Sequence, residues 1–350
     1  MRKLATIQKI LSLNPIPDAD AIEVAQILGW KVVVKKGQFN VGDLVVYCEI
    51  DSLLPKREEF EFLKSSNYRI RTIKLRGQIS QGICFPLDVL PEALKWHIEE
   101  LQKTGYVPAL SVLGAVDSAV GLDVTDVLGI EKYEAPIPAE LAGDAKGAKP
   151  SFFPVTDEDR IQILTHIPLE YGGQPFIATE KLDGSSCSYY WNNGVFGVCG
   201  RNWEYYESLS NSIWKFARHK YIEEHLGELG RNLALQGEII GEGIQKNKYK
   251  LRGQSVRFFR IFDIDKYEFL PYEEMIDIIN QFKLETVPVL DWNYILPPTV
   301  DEILAYAQGK SVLNPQTERE GVVFVRHELS NQGRLSFKAI SNKFLIDNKE

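Results

Sequence analysis

The stretch Thr179-Glu180-Lys181-Leu182-Asp183-Gly184-Ser185-Ser186 follows a short apolar run, Pro175 to Ala178, and sets a lysine two residues before an Asp-Gly pair. The run reads as a β-strand and Asp-Gly as the turn that ends it. By itself, a lysine at a strand end beside a carboxylate is an ordinary surface ion pair worth almost nothing. Its weight comes from what recurs downstream. Val198-Cys199-Gly200-Arg201-Asn202 ends a strand on an arginine, and Gly237-Glu238-Ile239-Ile240 sets a carboxylate inside an otherwise apolar strand. Phe258-Phe259-Arg260-Ile261-Phe262-Asp263-Ile264 is an aromatic strand, while Glu320 and Lys338 lie on two further strand-like runs. Each has a plain explanation: Glu238 paired to a nearby lysine, Glu320 with Lys338 across two strands, Phe262 in the core. Their order, always at the edge of an apolar run, points instead to one shared site. Strands and helices alternate irregularly here, which predicts an α+β domain built on antiparallel sheets.

This domain is expected to span 154–350, opening on a helix with Thr156 as N-cap and Asp159 in the first turn. Before it, 131–153 carries Glu134-Ala135-Pro136-Ile137-Pro138 and a run of small residues from Ala142 to Pro150, and reads as a flexible linker. Residues 1–130 are patterned differently. Val32-Val33-Val34, Leu44–Ile50, Arg69–Arg76 and Gly82–Leu87 are short β-type runs separated by Gly, Pro and Asp, predicting a small antiparallel barrel. The phase of 69–76 is imperfect, so a bulge or twisted edge is expected there. Pro91–Lys103 is helix-like, 109–118 a loop, and Val120–Leu128 the closing element. Between Lys64 and Leu87 stand five basic residues and no acidic one, either a binding face or a merely solvated strand.

The whole chain has 350 residues, 44% apolar and 25% charged, with a net charge of -8. That balance excludes a uniformly basic nucleic-acid coat but not local basic grooves. One such stretch is Gly243 to Phe262, where six basic residues (Lys246, Lys248, Lys250, Arg252, Arg257, Arg260) meet no acidic one. The four cysteines lack Cys-x-x-Cys spacing and the five histidines lack ligand spacing, which argues against disulfides and zinc and for a reducing compartment. Gln8 and Lys9 interrupt the only leader-like segment, and no run approaches a membrane span. A soluble intracellular protein is expected, with nucleus or cytoplasm left open and no obligate protein partner evident.

Two resemblances follow from these residues. Asn14 to Ala25 with Gly29-Trp30-Lys31-Val32-Val33-Val34 resembles the OB-fold tRNA-binding domains appended to aminoacyl-tRNA synthetases, which implies a nucleic-acid-binding barrel over 1–130. The ordered set from Lys181 to Lys338 resembles the covalent nucleotidyltransferases, that is, ATP-dependent RNA and DNA ligases and GTP-using capping enzymes. Gly241-Glu242-Gly243-Ile244-Gln245-Lys246-Asn247 and Lys338 to Phe344, with the OB domain leading, are most similar to RNA ligases of the Naegleria type. The resemblance implies an N-terminal OB-fold β-barrel, then an antiparallel-sheet nucleotidyltransferase (ATP-grasp-like) domain, sealing 3′-OH and 5′-phosphate RNA ends in RNA repair, with nicked duplexes among the substrates it brings into view. Lys181 would carry AMP, with Lys338 neutralising phosphate charge. Asp183, Glu238 and Glu320 would hold Mg²⁺ or Mn²⁺, directly or through water, and so offset the proton affinity that carboxylates lend a lysine. Arg160 and Lys343 would contact ATP phosphates, Glu180 adenine or ribose, Arg201 ribose or the 5′-phosphate strand, and Phe262 would stack on adenine. Relatives carry a second lysine where this chain has Ile340, so duplicate phosphate contacts are not implied. The alternatives are a DNA ligase, a capping-type enzyme using GTP, or an inactive RNA-binding protein.

Overall fold

A computed structural model describes residues 3–104, 119–133, 143–327 and 334–348. The chain divides into two compact units, Met1–Ala135 with Leu345–Glu350, and Pro136–Phe344.

In the first unit, Ala5–Lys9, Leu44–Cys48 and Ile83–Phe85 form one antiparallel sheet, and Ser12–Pro15, Ile22–Ile27 and Trp30–Lys35 a second. Trp30–Lys35 shows how the sequence pattern becomes a core: Trp30, Val32 and Val34 are buried while Lys31, Val33 and Lys35 are not. Thr72–Leu75 and Gln78–Gln81 make a separate hairpin. In the stretch 69–76, where a bulge or twisted edge is expected, Arg69 bridges Leu53 and Thr72–Leu75 pairs in regular register with Gln78–Gln81. The helix expected over 91–103 spans Glu92–Thr104, whereas the loop expected at 109–118 lies outside the described residues. The closing element runs beside the first strand, with Ile7 N–H donating to Leu122 O and Val124 N–H to Ala5 O, before turning into the helix Thr125–Leu128.

The second unit has two antiparallel sheets. The larger runs Ala145–Ala148, Trp203–Tyr205, Val195–Cys199, Ser185–Asn192, Leu233–Gly241, Gln254–Asp263 and Glu268–Phe269, with Glu285–Thr286 added in parallel to Gln254–Asp263. The smaller runs Val289–Ile295, Pro175–Lys181, Gly321–Arg326 and Ser336–Ile340. Register assigns the faces. On the large sheet Cys187, Tyr189, Leu235, Ile239, Phe258 and Ile261 point one way, into a core shared with Trp214, Phe216, Leu226, Met275 and Ile279 from three helices. Ser186, Ser188, Gln236, Glu238 and Arg260 pair across strands on the other face. On the small sheet Phe176, Ala178, Val322, Phe324, Phe337 and Ala339 pack against Ile303 and Ala307 of the helix Val300–Ala307, leaving Thr179, Lys181, Val323 and Lys338 on the opposite face.

Residues 153–160 lie along the large sheet's polar face. Gln236 donates to Pro154 O and the buried Arg260 to Val155 O, while the Thr156 and Ser186 hydroxyls meet. The helix expected to start at Thr156 is therefore not formed; these long-range partners hold the segment extended up to a short 3-10 turn at Ile161–Ile163. The stretch expected as a linker is divided. Glu131–Lys132 pairs with Ser52–Leu53, Ala145–Ala148 is a strand, and Phe153 is buried.

Candidate functional site

Lys181 is the last residue of its strand and lies opposite Gly321, so its side chain emerges beside Glu320. Lys181 Nζ donates to Glu320 Oε1 at 2.6 Å. Past the strand end the chain turns at Asp183 and Gly184 toward the large sheet. A Cβ on Gly184 would stand 2.4 Å from Ile239 O and 2.8 Å from Glu238 Cγ, so only glycine fits. Gly184 N–H in turn donates to Glu238 Oε1 at 3.1 Å. Asp183 N–H donates to Tyr249 Oη at 2.6 Å, and the Asp183 carboxylate pairs with Lys248.

The electrostatics follow from this crowding. For Lys181, burial lowers the pKa, but Glu320, Glu238 and Asp183 together reverse that and leave it above the ordinary lysine value. Burial pushes the Glu238 carboxyl up to about 8, although Lys181 and the Gly184 amide pull the other way. Burial likewise raises Glu320, whose Oε2 is buried without a hydrogen-bond partner. Lys338 lies opposite Val323 on the same face as Lys181, and its charge acts on Glu320. Its N–H donates to Asp159 O at 2.8 Å, and its backbone bridges that of Arg160, which is buried beside it.

The other expected residues fall elsewhere. Glu180 neighbours Lys181 in an extended strand, so its side chain points to the far face. Its Oε2 accepts Val312 N–H at 2.8 Å, and burial raises its pKa; its carboxylate anchors a turn and does not face the lysine. Phe262 is only 3% exposed, packed edge-on against Tyr267 and Phe269 in a cluster with Phe153 and Tyr190. The half-buried Phe259 is nearer the site. The bulge between Gln236 and Gly237 shifts the register, and Phe259 packs against Leu182, Ile240 and Tyr249, beside a small cavity it shares with Arg260 and Val325. Arg201 is exposed and donates to both oxygens of Asp157 at 2.8 Å. Lys343 is held by Glu318 at 2.7 Å. Of the basic stretch after Gly243, Lys248 is bound to Asp183, Arg257 to Glu285, and Arg260 to Gln236 and Glu158, while Lys246 and Arg252 are exposed. Sequence reading missed Lys248 and Tyr249 as members of the site, and the pairing of Asp183 had no local signal.

The carboxylates do not form a preset metal cage. Among the described residues no three Asp, Glu, His or Cys side chains converge closely enough to hold one ion directly. The donor set nonetheless fits a hydrated hard cation, because Glu320 Oε2 has no partner and Glu238 and Glu320 are both raised by burial. Magnesium-like ions keep several waters, so binding through them suits this spacing.

Comparison with known proteins agrees with this arrangement. A family model for an OB-fold domain matches residues 4–87, and one for RNA ligase matches residues 174–340. Among solved structures, a variant of Naegleria gruberi RNA ligase in apo form shares 41% identity and a TM-score of 0.85, over 98% of this chain and 97% of that one. Another variant of that enzyme, with ATP and Mn, shares 41% identity and a TM-score of 0.84 over 98% of each chain. The same enzyme with PPi shares 42% identity and a TM-score of 0.84, over 99% of this chain and 98% of that one. No curated protein matches the chain.

Proposed function

This chain belongs to the RNA ligase family, and on that footing we infer that it is an ATP-dependent RNA ligase whose AMP carrier is Lys181. The observation that carries the assignment is Lys181 Nζ bonded at 2.6 Å to Glu320 at the mouth of two facing carboxylates, Glu238 and Asp183. In the first step the amine attacks the α-phosphorus of ATP; a P–N bond forms, the α–β bridging P–O bond breaks and pyrophosphate leaves. Nζ must first lose a proton, and Glu320 Oε1 is placed to accept it, the more readily because burial raises its pKa. Asp183, Glu238 and Glu320 would hold a divalent cation, such as the Mn that accompanies ATP in the Naegleria relative, and its positive charge would offset the carboxylates and the α-phosphate. Lys338, on the same sheet face, neutralises phosphate charge in this step.

Next, a 5′-phosphate oxygen of RNA attacks the lysyl-AMP phosphorus, the P–N bond breaks and Lys181 regains its proton. Finally the 3′-hydroxyl attacks the activated 5′-phosphorus and AMP leaves. Positioning and charge neutralisation supply most of the rate in such in-line transfers. Arg201 is suited to the 5′-phosphate strand because it is exposed and its Nη2 already donates to both oxygens of a carboxylate. Phe259 is better placed than Phe262 to stack on adenine. The OB-fold unit is assigned to RNA engagement, with 1–130, 131–153 and 154–350 as the working division; Arg71, Lys74 and Arg76 are exposed on or beside its hairpin. A nicked duplex in RNA repair is the proposed substrate. No helix among the described residues is long and apolar enough to cross a membrane, and four free buried thiols suit a reducing, intracellular setting.

Incubation with α-labelled ATP and Mg²⁺ or Mn²⁺ should label the protein covalently with acid-labile chemistry, and Lys181→Ala should abolish the label. Label retained in that variant overturns the nucleophile assignment.

A further inference from the structure

Lys248 is not explained by the chemistry above, yet its position is heavily specified. It sits in the irregular loop 244–253, where Gln245, Lys246, Asn247 and Lys250 all take positive φ, between 43° and 58°. Left-handed backbone costs a non-glycine residue on the order of 1 kcal/mol, so such a run persists only when its surroundings hold it. Here Gln245 Nε2 donates to Gly184 O, Asn247 bonds Leu251 through both its N–H and C=O, and Asn314 Nδ2 donates to Lys248 O. The next residue, Tyr249, accepts Asp183 N–H. The outcome is an ammonium seated on the Asp183 carboxylate, half-buried and 4.3 Å from the centre of the Phe344 ring.

We propose that Lys248 is a counter-ion of Asp183 that must yield this carboxylate when a divalent cation binds there. This rests on the RNA ligase assignment of Asp183 and concerns only how the site is kept before loading. A buried carboxylate left without a partner is costly, and Lys248 removes that cost. Asp183 cannot serve both cations at full strength, so loading requires Lys248 to yield. The Phe344 ring offers the displaced ammonium a cation–π resting place within reach, so its charge need not be driven into solvent. No bond is made or broken in the exchange.

Competition of this kind is measurable without turnover. Mn²⁺ binding to the full-length, ATP-free protein would be followed by the loss of the free-ion electron paramagnetic resonance signal, for wild type, Lys248→Met and Lys248→Arg. Lys248→Met keeps the apolar stem and removes the rival charge, so it should bind Mn²⁺ about tenfold tighter; Lys248→Arg should stay near wild type. Lys248→Gln, smaller and polar, repeats the measurement should Met perturb folding. Unchanged or weaker Mn²⁺ binding in both neutral variants overturns the displacement. Failure of wild type to bind Mn²⁺ even with ATP would instead remove the ligase assignment on which it stands.

Discussion

Glu238→Gln is expected to stabilise the metal-free protein, and to do so far more at alkaline pH than at acid pH. Burial pushes the Glu238 carboxyl from 4.5 up to about 8 in the folded protein. A group with a raised folded-state pKa binds its proton more tightly when folded. Its stabilising contribution is therefore complete below the unfolded pKa and is lost as the pH rises through the folded one. Each unit of difference is worth about 1.36 kcal/mol, which puts a ceiling of about 5 kcal/mol on the loss. Water entering around the ionised carboxylate lowers this, so a difference of about 2–4 kcal/mol is expected. Glutamine has nearly the same shape and can still accept the Gly184 N–H now 3.1 Å from Oε1, but it does not ionise. Urea denaturation of both proteins in the presence of a chelator, followed by tryptophan fluorescence, reads the effect. Their stabilities should lie close together at about pH 5 and separate by about pH 9, with the variant higher. A gap that stays constant across that range, or closes as the pH rises, refutes the reasoning.

Two aromatic substitutions separate base stacking from core packing. Phe259→Ala should raise the KM for ATP in lysyl-AMP formation by about 10- to 100-fold, the scale of a lost base–aromatic stack, whereas Phe262→Ala should cost about 3–5 kcal/mol in unfolding free energy and leave the KM of the folded fraction near wild type. A reversed pattern, read from adenylation kinetics and denaturation of both variants, returns the stacking role to Phe262. Arg201→Ala removes an exposed guanidinium paired only to the equally exposed Asp157, so lysyl-AMP formation should persist while AMP transfer to RNA 5′-phosphate ends falls tenfold or more. Equal losses in both steps, measured by single-turnover assay, would place Arg201 at the nucleotide instead.

The parts of this molecule legible in its sequence are those where local pattern and final environment coincide. Lys181, Glu238, Glu320 and Lys338 stood out because each interrupts or ends an apolar strand, and strand register then gathers them. Strand alternation also contained the correction for Glu180, since a residue next to Lys181 in an extended chain faces away from it. Other features depend on partners far along the chain. Thr156 has the composition of a helix cap, yet residues 154–159 find their hydrogen bonds on Gln236, Arg260, Ser186 and Lys338, and stay extended. Ala145–Ala148 looks like linker because its residues are small, but its backbone pairs with Trp203–Tyr205 and needs no large side chains to do so. The bulge opposite Gln236 and Gly237 that places Phe259 off the core face was not legible, because it is a matter of register that two adjacent strands decide together. Lys248 stood out only as one of six basic residues, and nothing in the sequence marked its pairing with Asp183, because left-handed residues in a loop follow no period.

If Lys181 is the AMP carrier, the groups around it bear on how its reactivity is controlled. Lys181 held by Glu320, with its pKa raised above the ordinary value, is an ammonium and not a nucleophile. Asp183 is matched by Lys248, and burial pushes the Glu238 carboxyl up to about 8. On the proposed assignment, a polyphosphate with its cation would change the partners of these groups together: the carboxylates would face the cation, Lys181 would lose the anions that hold its proton, and Lys338 would face a phosphate. Reactivity would then follow the incoming charges, because the carboxylates that hold the Lys181 proton are those a cation would engage.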